Sequence, residues 1–182
     1  MSVMNRILER LRPRELSAPE RALVHYGKGV RDAERGKHRE AVEQFTKAIA
    51  AAPETGQMYH HRGAALAELG KFEQAIVDYD IAVRKLPAYP DTYLDRGNAN
   101  HALGRLDKAL KDFSEAIRLR NDWAESYANR AVVYAEMGDL EAMKHDAEKA
   151  RSLGVDQVRL DEMLSMSLNG QKPAADDGPG QR

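Results

Sequence analysis

Residues 59–79 read YHHRGAALAELGKFEQAIVDY, and 34 positions later residues 93–113 read YLDRGNANHALGRLDKALKDF. A third copy, YANRAVVYAEMGDLEAMKHDA, begins another 34 positions on at Tyr127. Working outward from these copies gives four units, 22–55, 56–89, 90–123 and 124–157. Each unit is predicted to split into a helix A and a helix B at Gly36, Gly70, Gly104 and Gly138, because a residue at ease with left-handed dihedrals lets one helix stop and the next turn back. Pro53 and Pro87 close the first two units, since helix B cannot run through them. Asn121 and Val155 take that place in the last two.

Small residues recur where two helices must come close. Gly29, Gly63, Gly97 and Ala131 on the A helices are expected to face Ala41, Ala75 and Ala109 on the B helices. Phe45, Tyr79 and Phe113 fill the space beside them as core, and Ala48, Ala82, Ala116 and Ala150 meet the following unit. The end units depart from this pattern. Unit four has Met143 and Ala147 for the alanine and the ring, and unit one has Asp32 where the others carry Leu66, Asn100 and Tyr134. Terminal units touch a neighbour on one side only, so they are freer to drift. Glycines, alanines, a ring and a terminal proline at this period resemble the tetratricopeptide repeat, over about three quarters of the chain. The resemblance implies an all-α, right-handed solenoid of four helix-turn-helix units.

Around the repeats, residues 1–17 are expected to form an N-terminal amphipathic helix and connector. Val3, Met4, Ile7, Leu8 and Leu11 make an apolar stripe opposite Arg6, Glu9, Arg10 and Arg12. Ser17 and Glu20 read as a capping box that opens the solenoid, which is taken as residues 18–168. A capping helix over about 156–168 follows from Val158, Leu160, Met163 and Leu164, and the polar, Gly- and Pro-rich residues 169–182 are expected to be a disordered tail.

Composition agrees with such a fold and excludes several functions. With 182 residues, 42% hydrophobic and only 6% aromatic, the chain favours closely packed helices. The absence of cysteine removes thiolate nucleophiles, disulfides and Cys-based zinc sites. Charges interrupt the first dozen residues, so no secretory signal is read there and a cytoplasmic location is expected. The net charge of -1 divides into a mildly basic start and a mildly acidic body, with no run of like charge that would suit nucleic acid.

Chemistry is hard to find. The six histidines, His25, His38, His60, His61, His101 and His145, sit in no nucleophile motif, and no phosphate-binding glycine run occurs. His60 and His61 could meet His101 and Asp95, but adjacent histidines point apart on a helix, so polar lining is read in place of a metal site. Asp91 and Asp95 share a helix face, yet their neighbours supply no apolar pocket to raise a pKa. No catalytic residue, metal ligand or cofactor is therefore assigned.

In this family the A helices line a concave groove, and the resemblance implies that peptides or partner helices dock there. Helical spacing puts Tyr26 and Val30 of unit one on that wall, then His60, His61 and Ala64 of unit two. Unit three adds Asp91, Leu94, Asp95, Asn98 and His101, and unit four adds Glu125 and Asn129. Co-chaperones of the family that grip an acidic chaperone tail use Lys and Asn, then Asn, then Lys and Arg. The matching places here are Tyr26 and Val30, then His61, then Asp91 and Asp95. An acidic terminus would be repelled, and a neutral to basic protein segment fits the charges. The expected function is a non-catalytic interaction adaptor. The alternative is a membrane-associated assembly factor anchored by the N-terminal helix, whose few bulky apolar groups are too weak for stable membrane binding; folding back on the first unit, or self-association through residues 1–12, is the commoner use of such a stripe.

A last regularity lies outside the family pattern. Arg62, Arg96 and Arg130 are each followed, 16 residues on, by Asp78, Asp112 and Asp146, while unit one has Lys28 and Gln44. Salt bridges are expected, either between the two helices of a unit or between adjoining units.

Overall fold

The computed structural model describes residues 15–170. Among these residues there are nine helices and no strand: α1 Ala18–Glu34, α2 His38–Ala51, α3 Gly56–Glu68, α4 Phe72–Lys85, α5 Pro90–Ala102, α6 Leu106–Leu119, α7 Ala124–Met137, α8 Leu140–Ser152 and α9 Gln157–Gly170. Four A/B hairpins stack in chain order, and α9 closes the array by packing on α7. The expected N-terminal helix lies outside the described residues, which include only 15–17 of the 1–17 element, and so does the tail beyond Gly170. Residues 169–170, read as tail, belong to α9; helix ends are the part of a pattern that spacing defines least.

Local chemistry sets the boundaries. Ser17 caps α1 by accepting from the Glu20 backbone N–H while the Glu20 carboxylate accepts from Ser17 N at 2.8 Å. Each hairpin turns at a glycine in the left-handed region, with φ of +72°, +71°, +68° and +80° at Gly36, Gly70, Gly104 and Gly138. Consecutive A helices touch, α1 with α3, α3 with α5 and α5 with α7, and no corresponding contact of that extent joins consecutive B helices. The A layer is therefore the inner, concave wall.

The glycines inside the A helices are matched differently from the expectation. A Cβ on Gly29, Gly63 or Gly97 would fall 2.7, 2.8 or 2.6 Å from a ring carbon of Phe45, Tyr79 or Phe113. Their close partner is the ring, not the facing alanine. Unit four obeys the same rule from the other side, because Ala147 in the ring position leaves room for the Cβ of Ala131, and both are buried in one cluster.

The arginines pair with the expected aspartates, and the pairing is within each unit. Arg62 donates to Asp78 at 2.7 Å, Arg96 to Asp112 at 2.6 Å and Arg130 to Asp146 at 2.6 Å, inside each unit. The remaining guanidinium nitrogen reaches back to helix B of the preceding unit: Thr46 at 3.2 Å, Asp80 at 2.7 Å and Ser114 at 2.9 Å. Each of these arginines also lies over the ring three residues before it, Tyr59, Tyr93 or Tyr127. The hydroxyls of Tyr93 and Tyr127 donate to the carbonyls of Pro87 and Asn121, which ties each A helix to the turn that precedes it.

Candidate peptide-binding groove

The concave wall changes character along its length. In unit one, Tyr26 packs against Phe45 and edge-on against His61, whose Nδ1 lies 2.8 Å from the Gln57 carbonyl. This is an aromatic end, with Val30 half-buried beside it. Next along the wall, His60 is buried, its Nδ1 3.1 Å from the Thr92 hydroxyl and its ring edge-on to Tyr89. Burial, helped by the neighbouring His61, lowers its pKa to about 4, so it stays neutral near pH 7.

The third unit is acidic. Asp91 pairs with Arg120 at 3.0 Å, and that arginine stacks on Trp123. Asp95 has no such partner: its nearest basic group is neutral His60, 3.8 Å away. Burial, followed by the charges of Asp91, Glu125 and Glu68, pushes the Asp95 carboxyl up to about 7. This overturns the expectation that its neighbours supply no apolar pocket. Most of the apolar surroundings come from the adjoining hairpin, through Ala64 and Ala67 of α3 and Phe72 and Tyr79 of α4, and only Ala99 is near Asp95 in sequence.

Further along, Asn129 donates to Asn98 at 2.8 Å, which links α7 to α5, and His101 lies 2.9 Å from Glu136. Glu125 and Asn129 then border a hollow of about 370 Å³ between α7 and α9, whose far side includes Arg159 and Met163. The groove thus gathers Tyr26, Val30, His61, Ala64, Asp91, Asp95, Asn98, His101, Glu125 and Asn129 on one inner wall, Ala64 beside Asp95 and Asn98. Two expected wall residues are set deeper. Leu94 packs into the core with Phe113 and Val133, and His60 is turned inward to Thr92. The spacing that selects a helix face does not distinguish its centre from its edge, where the next helix covers it.

Glu68, which helical spacing puts on the same face of unit two, shares the acidic stretch. Two features were missed: Arg159 and its helix form the groove's end, and Tyr79 reaches the wall from behind. Only the last left a sequence signal, a tyrosine where units one and three have phenylalanine.

Among the described residues no group of three or more His, Asp and Glu is placed to hold a metal, and no helix is long and apolar enough to cross a membrane.

Comparison with known families decides what the array is. A TPR repeat model matches residues 63–104 and 97–138, and a tetratricopeptide repeat model matches 124–153. The chain is a tetratricopeptide repeat protein. The matches begin within the second unit, so the divergent first hairpin of this repeat protein is established by its structure. Among solved structures, it is similar to the first TPR of Spaghetti (RPAP3) bound to the HSP90 peptide SRMEEVD, at 29% identity and a TM-score of 0.65, covering 66% of this chain and 95% of that one. The Arabidopsis OM64 TPR domain is similar at 27% identity and a TM-score of 0.64, covering 64% and 97%. MamA, at 20% identity, shares the fold with a TM-score of 0.75, covering 83% and 82%. Among curated protein sequences no match is found.

Proposed function

We propose that this tetratricopeptide repeat protein is a non-catalytic, cytoplasmic adaptor that holds a neutral to basic segment of a partner protein in its concave groove. The observation that carries this reading is Asp95, a recessed carboxylate with Asp91, Glu125 and Glu68 around it and no lysine or arginine paired to it among the described residues. A bound cation relieves that repulsion, whereas an anion adds to it. Similarity to the RPAP3 domain, which carries SRMEEVD, supports a peptide ligand in this groove. The ligand's charge is expected to differ, because the five places that grip an acidic tail in such co-chaperones hold Tyr26, Val30, His61, Asp91 and Asp95 here. A carboxyl titrating near neutrality also suits acid–base catalysis, but no nucleophile or metal set accompanies this one.

A peptide array probed with the intact protein tests the reading. Bound sequences should be rich in Lys and Arg, and binding should weaken when Asp91, Asp95 and Glu125 are changed together to Asn, Asn and Gln. A groove that retains SRMEEVD and other acidic peptides in preference, or binds equally well without the three carboxylates, would overturn it.

A further inference from the structure

Between the A helices of the second and third units the groove wall opens into a hollow of about 290 Å³. Its sides are the methyl groups of Ala67 and Ala99 and the ring of Phe72, and its polar groups include Glu68, Asp95 and Tyr79. Tyr79 lies on the far hairpin helix α4, and its ring is core, 1% exposed and packed on Gly63. Its hydroxyl makes no hydrogen bond among the described residues. Buried phenols are ordinarily partnered, and packing alone does not require this oxygen, because Phe45 and Phe113 fill the same place in the units on either side. The hydroxyl faces a space bordered by two carboxylates, neither of them paired with a lysine or arginine among the described residues.

A hollow walled on one side by alanine methyls and a phenyl ring, with three unmatched oxygens around it, describes a receptor for a primary ammonium group. Such a group brings three N–H donors on a flexible aliphatic stem, whereas a guanidinium is a planar fork best served by one bidentate carboxylate. We propose that the hollow is a lysine pocket: a protein segment lying in the groove inserts one lysine between units two and three. Its methylenes rest on Phe72 and Ala99, and its ammonium is held by Glu68, Asp95 and the Tyr79 hydroxyl. The proposal rests on the groove holding a protein segment and adds the anchor that sets its register.

The test uses the full chain, ¹⁵N-labelled, titrated with N-acetyl-lysine-methylamide and with its norleucine, Nε-acetyl-lysine and arginine counterparts. The lysine probe should shift the amides of Ala67, Phe72 and Ala99 and bind roughly tenfold or more tightly than the norleucine and acetylated probes, as expected for a charge-assisted contact. Asp95→Asn should remove that preference. Tyr79→Phe, which copies the ring of the neighbouring units and so leaves the packing intact, should reduce it several-fold. Equal binding of lysine and norleucine probes, an unchanged preference in Asp95→Asn, or tighter binding of the arginine probe would each overturn the lysine assignment. Peptides still captured on the array in that event would leave the groove reading standing, while loss of capture with the lysine preference intact would remove the groove reading and leave a site for a free ammonium group, which overturns the anchoring of a segment.

Discussion

At the scale of single residues the fold rests on mutual exclusion of volume. A ring on helix B demands glycine on helix A, and where the ring is absent, at Ala147, a methyl appears opposite it at Ala131. Both members of each pair are visible in the sequence, but that they answer each other is not, because the facing alanines look like equally good partners. Charge was harder to read. The Asp95 environment is assembled from Phe72, Tyr79 and Glu125, which stand more than a dozen positions away. Its consequence is a pH signature. Asp95 holds its proton in the folded chain up to about pH 7, against an ordinary 3.8, so the folded state binds more protons than the unfolded one between those values, and stability drains as pH rises through that window. His60 works in the opposite direction, losing stability as pH falls from 6.5 toward 4. Asp95→Asn should therefore be more stable than the natural chain above pH 7, and the gain should vanish toward pH 4. With a third of the side chain still in solvent, a gain of about 1–2 kcal/mol is expected. Urea midpoints at four pH values measure it; a gain that does not change with pH would mean that Asp95 is ionised throughout.

At the scale of helices the arginines act as three-way ties. Arg96 joins α5 to α6 through Asp112 and to α4 through Asp80. Burial pushes Asp112 up even though Arg96 and Asn100 pull it down, so desolvation consumes much of what the pair contributes. This predicts a non-additive cycle. Arg96→Leu or Asp112→Leu alone should cost about 3 kcal/mol by stranding its partner, while the double variant should lose far less than the sum, as chemical denaturation of all four proteins would register. Simple addition would show that the pair is not coupled. The within-unit half of this tie was legible because Asp recurs at a fixed offset. The between-unit half was not, because Thr46, Asp80 and Ser114 share only an oxygen.

At the scale of the whole molecule, stability passes from neighbour to neighbour. The last hairpin would be half bare without α9, whose Leu160 and Leu164 complete a cluster with Ala128, Ala131, Ala135, Met143 and Ala150. Ending the chain before Gln157 should lower Tm by about 5 °C or more and promote association through the uncovered face, seen by calorimetry and light scattering. A monomeric truncation of undiminished Tm would show α9 to be dispensable. The period told of this dependence, since a hairpin that cannot bury its own apolar side needs another beside it. How the groove terminates was not readable, because it depends on the angle at which α9 meets α7.

The graded strength of the arginine ties also has a mechanical meaning. The link from Arg62 to the first unit is a 3.2 Å bond to a neutral hydroxyl, that from Arg130 a 2.9 Å bond to another, and that from Arg96 a 2.7 Å bond between full charges. Of the three ties only the charged one is screened by salt, so the junction of units two and three is the one whose stiffness should fall as ionic strength rises.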